Sequence, residues 1–284
     1  MITHLFKDLN SPLAPIPTGL EAQLPQLTDI QAVIFDIYGT LVISGTGDIS
    51  IAEQVDREEV LRSFLTATGS EIPLDVAVSG LFYGLIKEDH QESKARGAAY
   101  PEVDILEIWD RLISKLRLQA PDEETLKVMA IRFECAVNPV WPMPGLVSVL
   151  ESLRKRQLPL GIVSNAQFYT PVMLESFTGK TLTELGFQKD LSVWSYKERL
   201  GKPSVELFQK LNRSLSSRGI QPEQTLYVGN DMLNDIWTAN QAGLKTALFA
   251  GDKRSLRLRD TDERCQGLEP DLVITELAQL FHIL

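Results

Sequence analysis

Short apolar runs that stop abruptly at polar residues recur along the chain. Ala32-Val33-Ile34-Phe35 ends at Asp36, Leu160-Gly161-Ile162-Val163 ends at Ser164, and Leu226-Tyr227-Val228 ends at Gly229. Runs of this length without alternation suit strands buried on both faces of a parallel sheet. Residues 245–250 and 271–274 add two strands of the same kind. Helical periods separate them. Residues 145–157 carry apolar Leu146, Val149, Leu150 and Leu153, and residues 204–215 carry Val205, Leu207, Phe208, Leu211 and Leu215. Residues 235–242 form a third helical stretch, closed by Gly243 as a C-cap. Strands alternating with helices predict a doubly wound parallel α/β sheet.

That rhythm breaks between the first and second strands. Residues 46–135 hold no comparable strand and read instead as four amphipathic helices, at 51–68, 74–91, 103–115 and 123–135. A stretch of this size is too long for a connecting loop. It is expected to be a separate helical cap, inserted into a core made of residues 30–45 and 136–284. Residues 1–29, with four prolines and no sustained period, are expected to form an arm over the main domain.

In open parallel sheets, ligands bind beyond the carboxyl ends of the strands. Three strands present polar residues there. Asp36 begins the string Asp36-Ile37-Tyr38-Gly39-Thr40-Leu41. A carboxylate at a strand end can attack an electrophile and form a covalent intermediate. Asp36 and Tyr38 lie two apart and point the same way in extended chain; a simple turn-capping Asp is the blander reading. Ser164 and Asn165 offer a hydroxyl and backbone N–H groups to an anion, or plain turn chemistry. Lys202, in Gly201-Lys202-Pro203, sits just before a helix start where an anion is also favoured, although a surface lysine is the default. Asp231 and Asp235 lie four apart at another helix start, as oxygen donors for a hard cation or as ordinary first-turn acids.

The four motifs in this order resemble the haloacid dehalogenase superfamily, in the subclass with a helical cap after the first motif. The resemblance implies a Rossmann-like core and a hydrolase. It casts Asp36 as nucleophile, Ser164 as the hydroxyl holding the transferring group, and Lys202 as the lysine neutralising nucleophile and substrate. Tyr38 and Thr40 complete the catalytic set, and Asn165 joins Ser164 and Lys202 in substrate binding. Asp36, Tyr38 through its backbone carbonyl, Asp231 and Asp235 are the expected Mg²⁺ ligands. One departure matters: phosphatases of the superfamily carry Asp two residues after the nucleophile, where this chain has Tyr38. The string Asp-x-Tyr-Gly-Thr-Leu is that of the 2-haloacid dehalogenases, which need no metal. Against that reading, dehalogenases lack the acid pair, carry Tyr where this chain has Phe208, and use a halide-binding cap Arg with no counterpart here. The expectation is therefore a Mg²⁺-dependent phosphatase of a small phosphorylated metabolite. The alternatives are a metal-independent 2-haloacid dehalogenase or a low-activity binding or regulatory member.

A net charge of −10 disfavours nucleic acid as a partner, since phosphate backbones are held by basic patches. A small anionic substrate remains compatible, because a lysine or Mg²⁺ reverses the field inside a pocket. No apolar run reaches membrane-spanning length, so no membrane role is expected. Two distant cysteines and no secretory pattern point to the cytoplasm. Substrate choice is expected to lie in the cap, with residues 96–104 a candidate lining loop that also reads as an ordinary connection.

Overall fold

The computed structural model describes residues 2–45, 56–66 and 71–283. Six strands form one parallel sheet: β1 (Ala32–Phe35), β4 (Leu160–Ser164), β5 (Phe187–Trp194), β6 (Thr225–Gly229), β7 (Lys245–Phe249) and β8 (Leu272–Ile274). Their spatial order is β5-β4-β1-β6-β7-β8. All of β1, β4 and β6 is buried, as their unbroken apolar composition requires. Alternate side chains of β1 feed opposite faces of the sheet. Val33 and Phe35 enter one core, and Ala32 and Ile34 enter the other. The first core is covered by α6 (Leu146–Lys155) and α7 (Tyr169–Thr178), and the second by α9 (Val205–Ser217). This is the expected doubly wound α/β sheet, and β1 at its centre places Asp36 between the ends of β4 and β6.

A short antiparallel pair, β2 (Val42–Ser44) and β3 (Val140–Pro142), frames the entry to and exit from the intervening helices. Those helices are α2 (Arg57–Thr66), α3 (Val78–Ala95), α4 (Ile105–Lys115) and α5 (Glu123–Val137). They gather a hydrophobic cluster of their own, centred on Phe82, Trp109 and Phe133, whose ring centroids lie 5.4–5.7 Å apart. The helix expected over 51–68 is described only from Arg57 to Thr66; its two ends lie outside the described residues. The helix expected at 74–91 starts four residues later. Leu74 is 95% exposed, and the start of α3 is set by Glu58 of α2, whose carboxylate accepts from the Val78 and Ser79 N–H groups. The four-residue helix α8 (Ser195–Glu198) follows β5 directly.

Within residues 2–29, several segments lie against the core. Helix α1 (Leu5–Leu9) buries Phe6 against Tyr169 and Phe177. Further along, Thr18 Oγ1 donates to the Ala250 carbonyl, and Gln23 pairs with Val273 beside β8. The last element among the described residues is α11 (Leu280–Ile283). Cys135 and Cys265 are both free and buried.

Candidate active site

The carboxyl ends of β1, β4 and β6 open into a cavity of about 500 Å³, lined on one side by Asp36, Tyr38, Asn165, Lys202, Asn230, Asp231 and Asp235. Arg57, Tyr83, His90 and Glu134 from the helical insertion line the other side. Sharp chain reversals make this convergence possible. Gly39 has φ +84°, and a Cβ there would meet Ser255 at 2.5 Å and Asn230 Nδ2 at 2.7 Å, so only glycine fits. Gly229 likewise leaves room for the Asp235 side chain against the end of β6.

Lys202 is the hub. Its ammonium donates to Asp36 Oδ1 at 2.7 Å, Asp235 Oδ1 at 2.5 Å and the Tyr227 hydroxyl at 3.1 Å, using all three hydrogens. Lys202 is 7% exposed and Asp36 5%. Asn165 fixes the lysine backbone: its Oδ1 accepts from the Lys202 N–H at 2.7 Å. Burial alone would push the lysine pKa down, but Asp235 and Asp36 outweigh it and hold the ammonium well above its ordinary range. Burial is the largest influence on Asp235 and raises its pKa to about 6; the Lys202 charge pulls the other way, and the charges of Asp36 and Asp231 add to the rise. Its other oxygen accepts from the Asn230 and Asp231 N–H groups, both at 2.9 Å.

The remaining expected residues take distinct places. Tyr38 lines the cavity, and its hydroxyl lies 3.0 Å from Thr170 Oγ1. Burial, followed by the charge of Glu134, raises its pKa well above the usual phenol value. Thr40 is fully buried and donates to Asn230 Oδ1 at 3.0 Å, tying the first motif to the fourth. Ser164 is also fully buried; its hydroxyl is 3.4 Å from the Asn165 carbonyl, and the lining at this strand end is Asn165, Ala166 and Gln167. Asp231 does not begin a regular α-helix. It caps a π-helical turn, Met232–Trp237, which runs on into α10 (Thr238–Gln241). This differs from the helix expected at 235–242, because the Asp231 side chain holds the Leu233 and Asn234 N–H groups and starts the turn three residues earlier. Among the described residues, no group of three or more His, Cys, Asp or Glu side chains is placed to hold a metal.

Several residues escaped sequence reasoning. Tyr227, inside a buried strand, is the third partner of Lys202; a hydroxyl in an otherwise apolar run is the one available signal. Glu134, 3% exposed, accepts from Asn138 Nδ2 at 2.9 Å and the Tyr169 hydroxyl at 2.8 Å, and burial raises its pKa. Arg259 donates to both oxygens of Asp231 from Nε, at 3.1 and 3.2 Å, and from Nη2 to Oδ2 at 2.5 Å. Of the candidate loop 96–104, Glu102 and Val103 reach the cavity.

Three comparisons bear on identity. The chain is 26% identical over 158 residues to the rhythmically expressed gene 2 protein of Drosophila melanogaster, spanning 52% of this chain and 58% of that protein. It is 23% identical over 256 residues to a glyceraldehyde 3-phosphate phosphatase of Methanopyrus kandleri, covering 89% and 97% of the two chains. Among solved structures, a 2-haloacid dehalogenase from Pseudomonas syringae has a TM-score of 0.52 at 19% identity, and a phosphatase from Thermococcus onnurineus has 0.51 at 19%. Each covers 89% of this chain and 97% of the solved one, and together they show a shared fold. No helix among the described residues is long and apolar enough to cross a membrane. The haloacid dehalogenase-like hydrolase family model matches residues 30–243, and the chain belongs to that family of enzymes.

Proposed function

We propose that the chain is a Mg²⁺-dependent phosphatase of a small, anionic phosphorylated metabolite, with residues 46–135 acting as a cap. The observation that carries this reading is the presence of Asp231 and Asp235 in one cavity with Asp36 and Lys202. An attack on carbon that expels halide has no use for this acid pair in addition to the nucleophile. The phosphatase names of relatives that match nearly their whole length support the same choice. The cytoplasm remains the compartment we favour.

The donor chemistry fits Mg²⁺, a hard cation that takes one or two carboxylates and fills its shell with water and phosphate. Asp36 and Asp231 are buried carboxylates lining the same cavity, and the Tyr38 carbonyl would complete the set. Asp235, with both oxygens engaged, orients Lys202. When bound, Mg²⁺ supplies charge neutralisation at the phosphoryl oxygens. In the reaction itself Asp36, held at Oδ1 by Lys202, attacks phosphorus through its other oxygen. The ester oxygen leaves with the bonding pair, while the Lys202 ammonium stabilises the charge that develops. Water then attacks the aspartyl phosphate, releasing phosphate and restoring the Asp36 carboxylate. On the far wall, Arg57, Tyr83 and His90 face whatever the phosphate is attached to.

Tyr38 favours the second reading, a metal-independent dehalogenase. Steady-state assays on a panel of phosphate esters and on 2-chloropropionate, each with and without EDTA, separate the two. Phosphate release lost in EDTA is the expected result. Halide release that survives EDTA would replace our reading with the alternative.

A further inference from the structure

The carboxylate of Asp231 is already saturated. Oδ1 accepts from the Leu233 N–H at 2.9 Å, the Asn234 N–H at 3.1 Å and Arg259 Nε at 3.1 Å. Oδ2 accepts from Asn234 Nδ2 at 3.1 Å and from Arg259 Nε and Nη2 at 3.2 and 2.5 Å. A carboxylate offers about four lone-pair sites. A cation therefore reaches Asp231 only if a donor withdraws. The two N–H groups are built into the start of the π-helical turn. Of the two side-chain donors, Asn234 belongs to that same turn, whereas Arg259 reaches in from outside it: it stands on a loop, its side chain is 37% exposed, and its backbone has φ +58°, where a residue other than glycine is disfavoured. The loop itself is anchored independently of that side chain, through Met232 N–H to the Arg257 carbonyl at 2.8 Å and Arg257 N–H to the Asn230 carbonyl at 3.0 Å.

We propose that Arg259 is an exchangeable latch on Asp231: its guanidinium and a divalent cation occupy that carboxylate in turn, and the displaced guanidinium stays at the cavity wall as a ligand for the anionic substrate. The inference rests on the Mg²⁺ reading above. It follows physically from charge. With Arg259 in place, the Asp231 charge is neutralised by a forked ion pair. With a cation in place, Arg259 needs a new anion, and the phosphoryl group is the one the reaction brings. Cation and anion then favour each other's binding, because each removes the other's competitor, and such coupling is reciprocal.

The test is Mg²⁺ binding by isothermal titration calorimetry on the full chain without substrate, which is independent of turnover. Arg259→Gln removes the competing fork, and Arg259→Gly does so while relieving the positive-φ position. Both are expected to bind Mg²⁺ about tenfold more tightly than the parent, the range for losing a forked but partly exposed ion pair. Arg257→Gln is the control. Arg257 also lines the cavity, but its guanidinium donates to the Arg254 and Leu256 carbonyls, so its loss removes the same charge without freeing Asp231. A change of about twofold or less is expected there. Equal Mg²⁺ affinity in the parent and both Arg259 variants overturns the latch alone, as does an equal gain in Arg257→Gln. Absence of Mg²⁺ binding in all of them overturns the metal reading itself, and the latch with it.

Discussion

The Lys202 ammonium lies 2.7 Å from the Asp36 carboxylate, with 4% and 8% of their side chains exposed. Asp235 shares the same ammonium from the other side. Two buried acids thus depend on one cation, and the consequence is a strong coupling. Lys202→Met should leave Asp36 and Asp235 buried without a cation between them, which costs about 3–5 kcal/mol. For a protein of this size that is a fall in Tm on the order of 10 °C. Adding Asp36→Asn to Lys202→Met should recover part of the loss, since one uncompensated charge is gone. Thermal unfolding of the two single variants and the double variant measures the coupling, and strict additivity would contradict it.

Asp36→Asn alone separates chemistry from folding. The amide keeps the shape and still accepts from Lys202, while Asp235 remains to pair the ammonium. Turnover should fall by about a thousandfold or more, as expected for removal of a nucleophile. Tm should hold or rise. A variant that keeps most of the parental rate would remove Asp36 from the centre of the mechanism.

What could be seen in advance followed from burial. Strands β1, β4 and β6 are apolar runs because both of their faces are covered; Asp36 stands out because the first run stops at it, and Asp231 because it follows just beyond Gly229, where the third run stops. Strand β5 escaped notice because it is an edge strand with Gln188, Lys189 and Asp190 in its middle, so its composition resembles a loop. The start of α3 was misplaced because its cap is Glu58, 20 residues earlier on another helix. Arg259 was invisible for the same reason. Its partner lies 28 residues away, across an irregular loop with no period to read. Ser164 was legible as a strand-end hydroxyl, but whether such a hydroxyl faces the cavity depends on the turn that follows it.

Glu58 gives the helical insertion a dependence on acid. Partial burial acts to raise its pKa, but bonds from the Ser79 and Val78 N–H groups and from Arg62 lower it to about 2, against an ordinary value of 4.5. A carboxyl depressed on folding adds stability above its unfolded pKa and loses it as pH falls through the folded value. Its contribution should therefore fade between pH 4.5 and 2. Near-ultraviolet circular dichroism, which reports on the packed Trp109 cluster, should show the parent losing stability over that window. Glu58→Gln should be less stable than the parent at neutral pH and should converge with it in acid. A constant gap between the two across the window would sever Glu58 from the effect.

Tyr38 sets the leaving groups the enzyme can handle. A positioned acid typically contributes about 10²–10⁴-fold to proton transfer, and it does so best when its pKa lies near the working pH. The Tyr38 phenol is held well above its usual range by burial, with the charge of Glu134 adding to it, and its hydroxyl is engaged with Thr170. It is therefore a poor proton donor to a departing alkoxide. Alkyl phosphates should suffer most, because alkoxides leave badly without protonation. Acetyl phosphate and p-nitrophenyl phosphate should suffer least, because their leaving groups are weak bases. Hydrolysis of the aspartyl phosphate also benefits from a base, so the gap between the substrate classes should be smaller than the full acid contribution. Tyr38→Phe should keep most of the activity on p-nitrophenyl phosphate, since a phenol that does not transfer a proton can lose its oxygen. Tyr38→Asp should raise kcat on sugar phosphates relative to p-nitrophenyl phosphate, because it restores a carboxyl two residues after the nucleophile. Rapid parental turnover of a sugar phosphate, with no gain in Tyr38→Asp, would assign the proton to another cavity residue.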